Sequence, residues 1–413
     1  MKIYHLLLAS ALVLFSCTED DFGNGNYQEF VPIELNASTT RIVNNSNKFS
    51  MNIFRSMNAE KTGENMVCSP LSISSLLSVI LNGADGETAQ ELNNALGTSG
   101  MSLQEVNESY RQLQSDLKNV DKSTKLNLAN SVWFNKTNLQ SNYVNSIQEY
   151  YGAKIQSLDF SKSKSLESIN SWCSKNTNGM IPKMLNSLSD QCKMILANTL
   201  FFQAEWSDEK CFHESQTAEL KFYNADQTVS RVTTLGSSSA MKHYYSDEYK
   251  MSTLSLGNGA YEFIIAMPEH GTLEECLDFL DQNGGLEALH ELPQIEYPIK
   301  IFIPKFEIGY ETDMIKHYQA LGINSLFDKG SASLPFMANE DLFVSKAEHQ
   351  VNFIFSEKGI KAAAVSTAEV WGSGALDAPK PQYEPIHYNK PFLFCIMETS
   401  TKTVLFLGKI EKL

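Results

Sequence analysis

Residues 356–381 read SEKGIKAAAVSTAEVWGSGALDAPKP, and this stretch decides the fold. Its second half, from Trp371 onward, is rich in Gly, Ala and Pro, a composition typical of an exposed loop. Its first half alternates, because every second residue is small or apolar: Ile360, Ala362, Ala364, Ser366, Ala368 and Val370. Alternate side chains of a strand point to opposite faces, so this half is suited to a half-buried strand although it leads into a loop. A short Ala-rich helix is the alternative on these residues alone.

Other motifs are dispersed along the chain in a fixed order. They lie at residues 65–90, 128–131, 169–172, 177–179, 198–206, 303–306 and 389–392. Together with Glu357-Lys358-Gly359 and the Ala-rich segment after it, they resemble the serpins, a family whose reactive loop inserts into its own central sheet. The resemblance runs from about residue 41 to residue 413.

The resemblance implies an α+β protein with the serpin fold. We expect one large domain at residues 41–413, with a central mixed β-sheet, further sheets, about eight or nine helices and a reactive loop at about 357–388. The implied function is a protease inhibitor that acts once as a suicide substrate, and therefore not an enzyme. A protease attacks the loop and forms its acyl-enzyme, and the cleaved loop then inserts into the sheet and traps the protease. The implied partner is that protease, and no cofactor or metal is expected.

The hinge of this loop decides whether the family mechanism operates, since insertion must not bury a charge. The residues that matter are Glu357, Gly359, Ile360, Ala362, Ala363, Ala364 and Ser366. The chain departs from the family pattern at Ile360, where Thr is common, and at Lys361, where Glu is common. We expect Ile360 to start near solvent and to be the first side chain that enters the sheet, while Lys361 points outward.

Further positions match family residues that control the opening of the sheet. Ser69, Ser72, Asn198 and His349 correspond to a polar cluster beneath the sheet, where the strands part. Trp206 corresponds to a Trp at the place where the loop enters, and Lys305 with Glu357 corresponds to a charge pair nearby. The alternatives are a plain helix cap and core hydrogen bonding for the cluster, and simple core packing for Trp206.

The scissile bond and the target are less closely defined. Family-like spacing from Glu357 places the bond at Ser373–Gly374, but the loop before Asn389 is several residues longer than usual. The position of the scissile bond is therefore left open between Val370 and Leu376. Besides Ser373–Gly374, the candidate residues are Val370, Trp371 and Leu376. No Lys or Arg occurs between Ala362 and Pro379, which disfavours trypsin-like proteases with an acidic primary pocket. We expect an elastase-, subtilisin- or chymotrypsin-like serine protease, with papain-like cysteine proteases as an alternative.

Local patterns predict helices and strands in alternation, with helices commoner in the first half. Ser69-Pro70 predicts the start of a helix, and a second helix at 88–96 ends at Gly97. Apolar runs of strand type occupy residues 126–134, 194–202, 261–267, 299–303, 351–355, 392–397 and 404–407. The last two predict a hairpin of two buried strands. No stretch typical of a linker divides residues 41–413.

The N-terminus has the pattern of a secretory signal. Lys2 precedes a mostly apolar segment that closes on Leu14-Phe15-Ser16-Cys17, which resembles a bacterial lipobox with Cys17 as the lipidated residue. We therefore predict a lipoprotein signal peptide at 1–16 and a flexible tether at 17–40. An ordinary signal peptide is the alternative. The expected location is the bacterial outer membrane, facing either the outside or the periplasm, with membrane contact only through the lipid.

Composition excludes several classes of function. The chain has 413 residues, of which 42% are hydrophobic, so it can bury a large core. Its formal charge of −15 without a basic run disfavours nucleic-acid binding. No catalytic signature or Cys/His zinc spacing occurs, and most of the seven Cys are expected to be buried, with a Cys192–Cys211 bridge as an alternative. We expect a monomer, and the rival hypothesis is a non-inhibitory surface lipoprotein that binds a ligand.

Overall fold

A computed structural model describes residues 29–208, 211–212, 214–237, 242–285, 299–360 and 384–413. The described residues contain eight α-helices: α1 (Ala37–Glu60), α2 (Pro70–Leu81), α3 (Gly86–Leu96), α4 (Leu103–Asn119), α5 (Ser141–Tyr151), α6 (Ser163–Asn176), α7 (Leu273–Gln282) and α8 (Ile315–Ala320). Their strands are β1 (Met66–Cys68), β2 (Lys125–Asn135), β3 (Lys154–Leu158), β4 (Met194–Glu205), β5 (Ala218–Tyr223), β6 (Val229–Ser237), β7 (Lys242–Tyr245), β8 (Tyr249–Leu256), β9 (Tyr261–Pro268), β10 (Ile301–Pro304), β11 (Phe306–Asp313), β12 (Lys346–Ser356), β13 (Gly359–Ile360), β14 (Ile386–His387), β15 (Phe392–Glu398) and β16 (Val404–Ile410).

The strands form three sheets, as the α+β prediction requires. The central sheet has the order β11-β12-β13-β4-β2-β3, and it is mixed because β2 pairs parallel with β3 and antiparallel with β4. A second six-stranded sheet has the order β1-β16-β15-β9-β8-β7, and it contains the predicted hairpin of β15 and β16. A third sheet has the order β14-β10-β6-β5.

Helix α2 lies at the centre of the packing. Every residue from Pro70 to Leu81 is buried, and the helix contacts β4, β2 and β16. Pro70 occupies its first turn as the sequence predicted, because the missing N–H of proline would have had no helical partner there. Ser69 stands at the N-cap position, as predicted, but its hydroxyl makes no capping hydrogen bond.

The N-terminal boundary of the folded chain differs from the prediction. Helix α1 begins at Ala37, within the tether predicted at 17–40, because the Asn36 side chain accepts a hydrogen bond from the Thr39 N–H at 2.9 Å. Just before the helix, Ile33 donates its N–H to the Ser400 hydroxyl at 2.9 Å, and Phe30 packs against the core. The folded part of the chain therefore starts earlier than residue 41, and residues 1–28 lie outside the described residues.

Strand β13 consists of two residues that are already held inside the central sheet. Ile360 pairs with Ala204 of β4 on one side and with Phe355 of β12 on the other, and its side chain is only 2% exposed. The expectation that Ile360 starts near solvent is therefore wrong. Its inward direction, by contrast, agrees with the predicted alternation. The difference arises because this burial requires β4, which lies more than a hundred residues away in the sequence, in addition to the adjacent strand β12.

Gly359 is the residue that lets the chain turn into this position. Its φ is +135°, and a Cβ added there would lie 2.2 Å from the Ala204 carbonyl oxygen. Both the conformation and the close approach to β4 therefore require glycine.

We predict that Gly359→Ala displaces β13 and lowers the free energy of unfolding by ~1–3 kcal/mol, the scale of a strained backbone position. Urea unfolding of the intact protein would measure this change. The matched control is Gly309→Ala in β11 of the same sheet, where nothing lies within 4 Å of the added Cβ. Equal unfolding midpoints for the two variants would contradict the role assigned to Gly359.

Candidate functional site

The central sheet is split between β4 and β12. At one end the two strands pair directly and in parallel, from Lys346 opposite Ile195 to His349 opposite Asn198. At the other end β13 lies between them and pairs with both. Between these contacts, no described residue pairs with residues 199–203 of β4 on the side that faces β12. The sheet therefore has room for a further strand at its centre.

A buried polar cluster closes the split where β4 meets β12. Asn198 is at its centre: its Nδ2 donates to the Ser72 carbonyl at 2.8 Å, to the Ser72 hydroxyl and to Asn130 Oδ1 at 2.7 Å. His349 contacts Asn198 through Nδ1 at 3.1 Å, and its Nε2 accepts the backbone N–H of Ser69 at 3.1 Å. The structure thus brings together the four residues that the sequence predicted. These are Ser69 just before α2, Ser72 in α2, Asn198 in β4 and His349 in β12.

The protonation state of His349 follows from these contacts. Because Nε2 accepts a hydrogen bond, the ring proton must sit on Nδ1, which donates it to Asn198 Oδ1. Burial disfavours the charged imidazole and lowers the pKa of His349 to about 3. The histidine is therefore neutral in the native protein, and the hydrogen bond that it makes to Asn198 joins β12 to β4 across the split.

The cluster extends to residues for which the sequence indicated no role. Asn130 of β2 donates from Nδ2 to the Ser75 hydroxyl of α2 at 2.8 Å. Asn130 lies in one of the dispersed motifs, residues 128–131, but the resemblance as stated implies no role for its side chain. The Ser69 hydroxyl is buried and has no hydrogen-bond partner among the described residues. Parting of the strands would break the Asn198–His349 bond at the centre of this network, and buried networks of this kind are costly when half-satisfied.

Aromatic packing surrounds the other end of the split. Trp206 is 4% exposed, and its Nε1 donates to the Ser356 carbonyl at 3.0 Å, three residues before β13 begins. Its ring lies 5.3 Å from that of Phe355 and 5.5 Å from that of Phe212, between ring centroids. Trp206 therefore combines the two interpretations of its role, because it packs in the core and also fixes the chain where the loop leaves β12.

The predicted charge pair is present beside this aromatic group. Lys305 Nζ lies 2.9 Å from Glu357 Oε2, and both side chains are nearly half exposed. Partial burial raises the pKa of Glu357, but the hydrogen bond from Lys305, a backbone hydrogen bond and the charges of Lys305 and Lys358 together bring the pKa below its usual value. An exposed pair of this kind contributes only ~0.2–1 kcal/mol to stability.

Several predicted site residues lie outside the described part of the chain. These are Cys17, the hinge residues Ala362, Ala363, Ala364 and Ser366, the bond Ser373–Gly374, and the alternatives Val370, Trp371 and Leu376. All the described cysteines are free, so the Cys192–Cys211 bridge is not formed, and each is buried except the half-buried Cys192. Within the same ranges, no group of His, Cys, Asp and Glu could hold a metal ion, and no helix is both long and apolar enough to cross a membrane.

Comparison with known proteins identifies the class to which this fold and split sheet belong. The family model described as Serpin (serine protease inhibitor) matches residues 44–413, and the chain belongs to this family. Serpins are protease inhibitors rather than catalysts, although some members do not inhibit. The split central sheet and the polar cluster are therefore features of a serpin domain.

Individual relatives match over nearly the whole chain. A leukocyte elastase inhibitor of Equus caballus is 28% identical over 376 residues, which cover 88% of this chain and 97% of that protein. The native structure of tengpin, a thermophilic serpin, superposes with a TM-score of 0.80 at 25% identity and covers 93% of this chain and 96% of its own. Thyroxine-binding globulin in complex with thyroxine has a TM-score of 0.79 at 23% identity and covers 90% and 98%, which is a likeness of fold alone.

Proposed function

We propose that this protein inhibits a protease once, as a suicide substrate, and is not itself an enzyme. The observation that carries the proposal is β13, which begins the reactive loop and already lies between β4 and β12 at the open end of the split. A protease that cleaves the loop downstream would release the rest of it from its distal attachment. The loop would then continue β13 into the split and draw the covalently attached protease with it.

The strand register supports this continuation. Strand β13 runs antiparallel to both neighbours, so each step along the loop moves one residue back along β4 and along β12. Six steps from Ile360 place position 366 opposite both Asn198 and His349, which face each other in the native sheet. The loop therefore fits both edges without a slip in register. Insertion beyond this point separates the polar cluster, which acts as the closure of the split.

The alternation of the hinge fits the two faces of the split. Ile360 faces the main core, together with Ala204 and Phe355. The same parity at positions 362, 364 and 366 carries Ala, Ala and Ser, which are small and uncharged.

Each main-chain hydrogen bond formed along the edges adds ~0.5–1.5 kcal/mol, so insertion is favourable once the loop is cut. The thirteen steps from residue 360 to residue 373 advance by roughly 43 Å at ~3.3 Å each, which would move the protease a long way from its first site.

The candidate residues of the scissile bond define the class of target. Ser373 and its neighbours from Val370 to Leu376 are small, apolar or aromatic, and none is cationic. Such residues suit the primary pockets of elastase-, subtilisin- or chymotrypsin-like serine proteases, with papain-like cysteine proteases as the second choice. The name of the Equus caballus relative, leukocyte elastase inhibitor, favours the elastase-like group.

Mixing with proteases tests the function and the bond together. We predict that the protein forms an SDS-stable complex with an elastase-like protease and none with trypsin. Ser373→Arg should add a trypsin complex, because it supplies the cation that the acidic trypsin pocket needs. Leu376→Arg is the matched variant, and a trypsin complex with it alone would move the bond downstream. Clean cleavage of the loop without any complex would refute inhibition and favour the ligand-binding alternative.

A pair of loop substitutions tests which hinge side chains face the core after insertion. Because Ile360 is buried in the native sheet, Ile360→Arg would disturb folding, and the test belongs further along the loop. Ala364→Arg would force a cation against Leu200 and Val351 in the core, where an unpaired charge is costly. Insertion should then be slower than acyl-enzyme hydrolysis, and the variant should become a substrate. Ala363→Arg, on the opposite parity, should still trap the protease, and equal trapping by both variants would contradict the parity.

We further propose that the domain is a monomer held at the bacterial outer membrane by a lipid on Cys17, facing the outside or the periplasm. The support is the apolar segment that ends at Leu14-Phe15-Ser16-Cys17 and the distance of at least eleven residues from Cys17 to the first described residue. Such a tether would leave the loop free to meet proteases in solution.

Metabolic labelling tests the anchor. Cells that express the protein with a radiolabelled fatty acid should incorporate the label into the wild type and not into Cys17→Ser, while both accumulate. Equal labelling of the two, or none in either, would refute the lipid anchor without affecting the inhibitory function.

A further inference from the structure

A solvent-open groove lies where β4 and β12 begin, beyond the closed end of the split. It has a volume of about 570 Å³, and its lining includes Leu188, Cys192, Ile195, Phe327, Phe343 and Val344. Most of these apolar side chains are only half buried, so the walls are incompletely covered in the native protein. The volume falls in the range of sites that hold a drug-sized ligand or a large side chain.

The register of β13 leads directly to this groove. Nine steps from Ile360 place position 369 opposite Ile195 and Lys346, which both line it. Continuing the same register for two more residues, past the ends of β4 and β12, places position 371 beside Lys193 and Val344, on the parity of Ile195. Ile195 packs on the α6 side of the sheet, away from the core that holds Ile360. Position 371 would thus arrive at the groove with its side chain on the α6 side.

Residue 371 is a tryptophan, and it is the one aromatic residue between Ile360 and Pro381. We propose that this groove is the binding site for the Trp371 side chain after the loop has been cleaved and inserted. This inference rests on the proposed function. Tryptophan buries a large apolar surface, and the half-covered Leu188, Cys192 and Phe343 offer it matching apolar contacts.

The position of Trp371 gives this contact a role. It lies two residues before the predicted bond at Ser373–Gly374, so it remains on the inserted fragment that carries the protease. Binding in the groove would hold the last inserted residues at the end of the sheet. It would therefore oppose withdrawal of the loop, which is the step that returns the protease toward its original site.

Cys192 provides a probe of the occupied groove. It is the half-buried cysteine among the described residues, and the others are buried, so a maleimide should label it first in the native protein. In the Ser373→Arg background, an arginine-specific endoprotease cuts after residue 373 and leaves Trp371 on the inserting fragment. We predict that this cut lowers the labelling rate of Cys192 at least tenfold, because the indole covers the thiol. Mass-spectrometric peptide mapping measures the labelling rate.

Two variants in the same background separate the proposal from insertion itself. Trp371→Ala should insert and still trap trypsin, but its Cys192 should stay at least severalfold more reactive after the cut. Val370→Ala, which removes an apolar side chain on the opposite face, should keep the full protection. Unchanged Cys192 labelling after the cut in a protein that traps trypsin would overturn the groove proposal and leave inhibition standing. Failure of the wild type to trap an elastase-like protease, together with failure of both arginine variants to trap trypsin, would instead overturn both.

Discussion

The hydrogen bond between His349 and Asn198 is the interaction on which the working of this protein depends. It joins β12 to β4 at the closed end of the split, while β13 holds the two strands apart at the other end. Burial keeps His349 neutral and its single ring proton on Nδ1, so the bond has a fixed direction. The same two residues are the first that an inserting strand would have to separate. The native sheet is therefore closed by a short parallel pairing of β4 with β12 and by this polar contact at its end, and not by a complete ladder of strand pairs.

In this arrangement the native protein is folded although its central sheet is incomplete. No described residue pairs with the middle of the β4 and β12 edges that face the split, although the other edge of each strand is paired. The hinge carries small residues that fit those edges, and the intact loop is attached at both ends. In the proposed mechanism, cleavage removes one attachment, so the chain forms strand pairs that the intact topology forbids. The charge pair of Lys305 and Glu357 and the Trp206 contact fix the starting point of that movement.

The sequence named four residues that the structure brings together, whereas the predicted start of the folded chain differs from the observed one. Ser69, Ser72, Asn198 and His349 could be named because the resemblance carried them as a group, although no periodicity relates them. The 17–40 tether was too long, because the Asn36 cap acts over three residues and leaves a weak pattern. Ile360 is buried rather than near solvent because it pairs with Ala204 of β4 as well as with Phe355 of the adjacent β12, and the local sequence contains no information on the distant pairing with Ala204. The missing hydrogen bond of the Ser69 hydroxyl was likewise hidden, because a cap residue is recognised by its type and not by its rotamer.

The melting temperature before and after cleavage of the loop between Val370 and Leu376 tests the central claim most directly. The intact protein should melt at the lower temperature, because its central sheet lacks a strand. The cleaved protein should melt at a markedly higher temperature, because the loop fills the split and pairs with both β4 and β12. An equal or lower melting temperature after cleavage, with the cut confirmed by mass, would contradict the account.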